Sequence, residues 1–286
     1  MSIIEKALDT LDQKSIDLTV EKERRRDLPP VTANDLDIVG EPRSSKTSRL
    51  LKIDPSKLKG RGILTPDPDD RRLAEEFRRI KRPLLKNAFD INAPSFKDRN
   101  IIMVTSAVAG EGKTYIAMNL AMSVAMEINH TVLLIDGDVT RRSMSKTLGI
   151  EEEVGLSDLL ANGERDLADL LLKADIANLT VLPPGKNDDN LTELWASQRM
   201  KSLMKEVSRR YGDRVVIVDT PPLLADSSTS VLAGYVGQVV MVVEAEKTPR
   251  HLVHEALETI SHCEMVGVVL NKTNQRYDGN VNYGYY

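Results

Sequence analysis

Apolar positions along this chain fall into two textures. From about residue 71 onward, short continuous apolar runs alternate with segments of helical period. The runs are IIMVTS (101–106), TVLLID (131–136), LTVL (179–182), VVIVD (215–219), VVMVV (239–243) and VGVVL (266–270). Runs of this length, rich in β-branched residues, suit strands buried on both faces. Their alternation with helical segments predicts an α/β protein with a mainly parallel central sheet flanked by helices. Ahead of the first run, LAEEFRRIKRPLLKNAF (73–89) has helical spacing, and Pro83 is expected to interrupt it. Residues 1–70 differ. Charges of both signs are interspersed with Pro29, Pro30, Pro42, Pro55, Pro66 and Pro68, the texture of a largely flexible arm. At its start Ile3, Ile4, Ala7, Leu8 and Leu11 share one helical face, which predicts a short amphipathic helix, either a frayed terminus or a docking peptide.

Composition narrows the picture. The formal net charge of -4 over 286 residues argues against a nucleic-acid binder held by bulk positive charge. With Cys263 as the one cysteine there is neither an intrachain disulfide nor a thiolate cluster, and its position beside an apolar run suggests a buried structural thiol. The stretch Val231–Val243 is broken by Gly234, Gly237 and Gln238 and falls short of the ~20 residues a spanning helix needs. The start lacks a signal-peptide core. A cytoplasmic protein without a direct membrane span is expected, reaching a membrane only through a partner. His130, His251, His254 and His262 lack a carboxylate or cysteine at metal spacing.

The chemistry concentrates in SAVAGEGKTYIAMNLA, residues 106–121. Ala107 through Thr114 fits the P-loop pattern, with alanine in place of the first glycine. Backbone N–H groups must converge on phosphate oxygens, and Gly110 and Gly112 let the chain approach closely. Lys113 would reach the β/γ-phosphates and the Thr114 hydroxyl would ligate Mg²⁺. The helix that opens here adds the positive end of its dipole. Ala109, Gly110, Glu111, Gly112, Lys113, Thr114 and Tyr115 are the expected nucleotide-binding residues, with ATP and Mg²⁺ as cofactors. Two further strands end in aspartate: LLIDGD carries Asp136 and Asp138, and VIVDTPP carries Asp219. In an open parallel sheet ligands bind beyond the carboxyl ends of the strands, so all three should converge near the phosphates. There they could position Mg²⁺ and orient or deprotonate an attacking hydroxyl.

These elements, GEGKT, LLIDGDVTRR and VIVDTPPLL, resemble the Walker A, A′ and B motifs of the bacterial tyrosine kinases, P-loop NTPases of the deviant-Walker, Min-like class. The likeness runs from about residue 71 to the end and includes EEFRRIKRPLL and VVLNK. It is nearest to the autokinases linked to exosortase and exopolysaccharide gene clusters, which MSIIEKAL at the start also resembles. The resemblance implies a protein-tyrosine autokinase. It makes Lys113, Asp136, Asp138 and Asp219 catalytic, with Asp136 the base for the tyrosine hydroxyl. Asp138 and Asp219 would support the Mg²⁺ site, whose direct ligands would be Thr114, Asp136 and Asp219. It puts Asn271 near the adenine and matches Arg141 to the arginine that follows the A′ aspartates. Arg142 replaces the family's usual proline. Gly137 between the aspartates is also atypical and is expected to loosen a loop that should be rigid.

The end of the chain supplies a separate clue. Four of the 7 tyrosines, Tyr277, Tyr283, Tyr285 and Tyr286, lie in RYDGNVNYGYY among glycine and asparagine. An autokinase needs such acceptors, and each phosphate would add about −1.5 to −2 charge. The domain plan is an arm over 1–70, a kinase domain over 71–271 and a tyrosine-rich tail over 272–286. In EEFRRIKR, charges three and four apart could form a solvated helix face. The resembling family has a Glu-x-x-Arg-x-x-Arg element here that joins subunits into a ring, which Glu75, Arg78 and Lys81 would match. Glu76, Arg79 and Arg82 fit the same pattern in a competing register. A homo-oligomer and a separate membrane-embedded chain-length regulator are the implied partners. A Min/Par-type ATPase switch is the main rival, but its signature lysine early in the P-loop is Val108 here. A non-catalytic ATP-binding regulator is a third reading.

Overall fold

The computed structural model describes residues 49–66, 71–90, 97–161, 165–186, 191–210 and 212–273. The amphipathic segment around Ile3–Leu11 and the four tail tyrosines lie outside them. The described residues belong to one compact unit that begins at Lys46.

The apolar runs 101–106, 131–136, 215–219 and 239–243 form the buried middle of a sheet, whereas the run 266–270 forms a half-exposed edge. In chain order the strands are β1 (Arg49–Leu51), β2 (Ile101–Ser106), β3 (Thr131–Asp136), β4 (Leu172–Ala174), β5 (Leu179–Leu182), β6 (Arg214–Asp219), β7 (Gln238–Glu244) and β8 (Val266–Asn271). Their order across the sheet is β1-β4-β5-β3-β6-β2-β7-β8. All neighbours are parallel except β4 and β5. The mainly parallel sheet expected from the sequence is therefore present. It gains two three-residue strands, β1 and β4, too short to carry a pattern.

Side chains alternate across each strand and feed two cores. Ile102, Val104, Val132, Leu134 and Ile217 face one layer, and Ile101, Met103, Leu133, Ile135 and Val218 face the other. The first layer is covered by α2 (Arg71–Phe89), α3 (Lys113–Ala125) and α4 (Ser143–Leu148), the second chiefly by α5 (Leu156–Ala161), α7 (Leu191–Trp195), α8 (Gln198–Arg210), α9 (Ser227–Ala233) and α10 (Arg250–Thr259). The short α1 (Pro55–Lys59) and α6 (Leu167–Leu170) complete the set. Helix α3 follows β2 directly and is buried on nearly every side, as its run of Ala, Met and Leu requires.

Three sequence expectations change. First, folded structure begins before residue 71. Leu51, Ile53, Leu58, Ile63 and Leu64 are buried in the first core, and β1 pairs with β4. Second, Pro83 does not end its helix: α2 runs for 19 residues straight through it. Phe77, Lys81, Leu84 and Ala88 form one buried stripe while Pro83 faces solvent. Packing of that stripe outweighs the ~3 kcal/mol that an internal proline costs. Third, Gly137 is not a loosening element. A Cβ there would lie 2.6 Å from the Asp219 carbonyl oxygen and 2.6 Å from the Trp195 indole. Its N–H donates to that same carbonyl at 2.8 Å, so the glycine permits a close strand contact.

Candidate active site

The loop between β2 and α3 has the backbone geometry of an anion cradle. Gly110 and Gly112 adopt φ of 94° and 95°, a region other residues rarely enter, and Ala109 and Gly110 are exposed at its rim. Gly112 opens α3 without a side-chain cap, as a helix N-terminus facing an anion would. Ala107 has no such φ and its methyl group is fully buried in the second core, so alanine serves there as well as glycine. The Lys113 ammonium is buried and donates to Asp138 Oδ2 at 2.6 Å.

Strands β3 and β6 lie side by side with Asp136 directly opposite Asp219, so their carboxyl ends deliver both carboxylates to one place. Asp136 is completely buried. It accepts from the Asp138 N–H at 3.2 Å and from the Ser145 N–H and hydroxyl at 3.1 and 2.7 Å. Burial raises its pKa to about 6, with the Ser145 hydrogen bonds pulling the other way and the Asp138 charge adding to the rise. Asp219 is equally buried, and among the described residues neither of its oxygens accepts a hydrogen bond. The Thr114 hydroxyl is close enough to lower its pKa yet outside hydrogen-bond geometry. Burial pushes Asp219 up to about 7 against the Lys113 charge, and Asp136 and Asp138 push the same way.

A buried carboxylate without donors beside a threonine hydroxyl suits a divalent cation. Among the described residues no three carboxylate, histidine or cysteine side chains converge at metal-binding distances. Mg²⁺ takes one or two carboxylates and completes its shell with substrate phosphates and water. Thr114 and Asp219 would hold it, with Asp136 behind them. Its chemistry there would be to neutralise charge on the β- and γ-phosphate oxygens.

Other expected residues are placed differently. The Glu111 side chain turns into the protein, where it accepts from the Val108 N–H at 2.7 Å, so only its backbone remains for phosphate. Tyr115 packs its ring edge-on against Phe77, which removes the side chain from the nucleotide face. Asn271 donates from Nδ2 to the Glu111 carbonyl at 2.8 Å and lies where a Cβ on Gly112 would be, in direct contact with the loop. Arg141 is exposed, with its N–H on Asp138 Oδ1 at 3.2 Å. Arg142 adopts φ of 50° and holds the Val139 and Glu151 carbonyls with its guanidinium, a fixed turn where proline was expected.

Lys81 requires a correction. It is buried, donates to the Ser123 carbonyl at 2.6 Å and pairs with Glu127 at 2.7 Å, so it has no charge to offer another subunit. Arg78 is exposed along α2, as are Glu76, Arg79 and Arg82 of the competing register. Cys263 is half-buried, with burial raising its pKa to about 11, as a structural thiol should be. The sequence reading missed Ser145, Thr248, Lys272 and Trp195. Lys272 directly follows the noted Asn271, and Ser145 follows Asp136 at a distance that only the turn at Arg142 makes meaningful.

The phosphate cradle, the buried lysine and the paired strand-end aspartates together define a P-loop NTPase site on a parallel sheet. A family profile described as AAA domain matches residues 99–272. The tyrosine-protein kinase Wzc of Salmonella typhi is 33% identical over 189 residues, covering 65% of this chain and 26% of its own length. The tyrosine-protein kinase YwqD of Bacillus subtilis is 32% identical over 187 residues, covering 65% of this chain and 76% of its own. Among solved structures, the kinase domain of the Escherichia coli tyrosine kinase ETK is 27% identical with a TM-score of 0.64, covering 77% of this chain and 83% of that one. The chain thus belongs to the AAA-domain family and, within it, to the bacterial tyrosine-protein kinases. It spans about a quarter of the length of Wzc.

Proposed function

We propose that this chain transfers the γ-phosphoryl group of ATP to tyrosines of its own C-terminal cluster, Tyr277, Tyr283, Tyr285 and Tyr286, in trans between subunits. The observation that carries the reading is the meeting of Lys113, Asp138, Asp136 and Asp219 at the mouth of the phosphate loop. Phosphoryl transfer asks little covalent chemistry of a protein and depends on positioning and charge. In this reading Lys113 leaves Asp138 for the phosphates when nucleotide enters. Asp136, with a pKa near neutrality, takes the proton of the attacking tyrosine hydroxyl. The exposed Glu76/Arg79/Arg82 face of α2 offers an assembly surface, and a membrane-embedded regulator would bring the kinase to the membrane. Control of exopolysaccharide synthesis or export is the role the family resemblance supports.

Incubation of the purified chain with ATP and Mg²⁺ followed by anti-phosphotyrosine detection tests the activity. ATP hydrolysis without phosphotyrosine would favour a partitioning-type switch. Transfer in trans is tested by mixing a Lys113→Met chain with an active chain whose four tail tyrosines are phenylalanine. Phosphate on the inactive partner's tail supports the proposal; its absence, with normal wild-type autophosphorylation, means each tail enters its own site. Arg82→Ala should weaken self-association measured by sedimentation.

A further inference from the structure

A carboxylate beside bound phosphates is repulsive, so Glu111 in the middle of the phosphate loop needs a physical reason. Its side chain supplies one. It is 1% exposed, and burial of a charge is tolerable only when donors surround it. Three do. Oε2 accepts from the Val108 N–H at 2.7 Å, and Oε1 accepts from the Thr248 hydroxyl at 2.5 Å and the Glu244 N–H at 3.2 Å. Val108 lies in the phosphate loop, whereas Glu244 ends β7 and Thr248 lies in the turn that follows. One carboxylate therefore spans two loops.

The neighbouring peptide groups show what the tether accomplishes. The Gly110 carbonyl accepts from Lys272 Nζ at 2.7 Å, and the Glu111 carbonyl accepts from Asn271 Nδ2 at 2.8 Å. In a trans peptide the N–H points opposite to the C=O. With both carbonyls turned back toward the end of β8, the N–H groups of Glu111 and Gly112 face the other way. The cradle thus owes its N–H direction to contacts at its back, and Glu111 fastens the same segment to the β7 side.

We infer that Glu111 is a positioning residue, and that its carboxylate, anchored on Thr248, sets the affinity of the phosphate loop for nucleotide. This rests on the reading of that loop as the nucleotide site, and binding can be measured without kinase activity. Titration of the full chain with a fluorescent ADP analogue, for wild type, Glu111→Gln, Thr248→Val, Thr248→Ser and the Glu111→Gln/Thr248→Val double variant, tests it. Glutamine keeps the shape but turns one acceptor into a donor, so its NH₂ must face the N–H of Val108 or of Glu244. The expected result is a loss of roughly tenfold or more for Glu111→Gln and roughly threefold for Thr248→Val, with Thr248→Ser near wild type. The double variant should be no worse than Glu111→Gln alone, because both substitutions break one contact. In turnover, KM for ATP should rise while kcat changes less, as loss of ground-state positioning requires.

A wild-type affinity in folded Glu111→Gln, or additive losses in the double variant, would overturn the inference. If Glu111→Gln does not fold, the Thr248 pair decides alone: equal affinities for valine and serine sink it. Absence of nucleotide binding by the wild type would instead undo the underlying site assignment.

Discussion

The two sides of the candidate site, the 107–114 loop and the strand ends, hold their polar groups in opposite conditions. On the loop side, the Gly110 and Glu111 carbonyls and the Glu111 carboxylate are all hydrogen-bonded from behind. On the strand side, Asp219 is sealed in with no hydrogen-bond donor among the described residues, and Asp136 opposite it is held by Ser145. The loop side is settled before any ligand arrives. The strand side stores an electrostatic cost that a cation would relieve. If the loop binds phosphate as proposed, its cradle need not be rebuilt at each turnover, while Asp219 gains a partner only in the loaded state.

The largest expected effect comes from removing the charge that bridges the two sides. Lys113→Met should leave no detectable tyrosine phosphorylation by anti-phosphotyrosine blot, with an unchanged circular dichroism spectrum. Activity at the wild-type rate would mean the loop is not catalytic. Next, Asp136→Asn and Asp219→Asn should each lower turnover on the order of 10²-fold with a much smaller change in nucleotide affinity, since the loop still holds the phosphates. Equal losses in both would assign the aspartates to structure.

Two smaller effects compare the two sides directly. Gly137→Ala should destabilise the fold by roughly 2 kcal/mol in urea unfolding, because its Cβ meets the Asp219 carbonyl and the Trp195 ring. Gly110→Ala has open space around it and should cost only about 1 kcal/mol, from its positive φ. A larger loss at Gly110 would reverse the comparison. Finally, both strand-side carboxyls have raised pKa values in the folded chain, about 6 and about 7. Their unfolded counterparts release protons near pH ~4, so between pH ~4 and ~7 the folded state binds more protons. Ligand-free stability should therefore fall as pH rises through that window, and Asp219→Asn should flatten the slope. Thermal melts from pH 5 to 8 check it; a rising slope would show the carboxylates are stabilised without ligand.

Much of this was legible in the sequence because central parallel strands are buried on both faces and leave continuous apolar runs. β2, β3, β6 and β7 were plain for that reason. The edge strands RLL and LKA were not, since three residues carry no period. The loop 107–114 and the three aspartates stood out because phosphate chemistry asks for fixed residue types at fixed spacing. Side-chain direction could not: nothing in GEGKT shows that the glutamate turns backward. Lys81 was misread although a signal existed. Phe77, Lys81, Leu84 and Ala88 share one helical stripe, and a lysine in line with three apolar residues is a candidate for burial along its methylene stem. The charge pattern drew attention to its head group instead.

The glycine at position 137 joins the backbones after β3 and at the end of β6 by a 2.8 Å hydrogen bond, with the Trp195 ring closing the remaining space. Mechanically, this makes Asp136 and Asp219 parts of one jaw. If the chain binds nucleotide as proposed, the accompanying travel falls first to the side chains of Lys113 and Arg141, since this junction ties the two strand ends together.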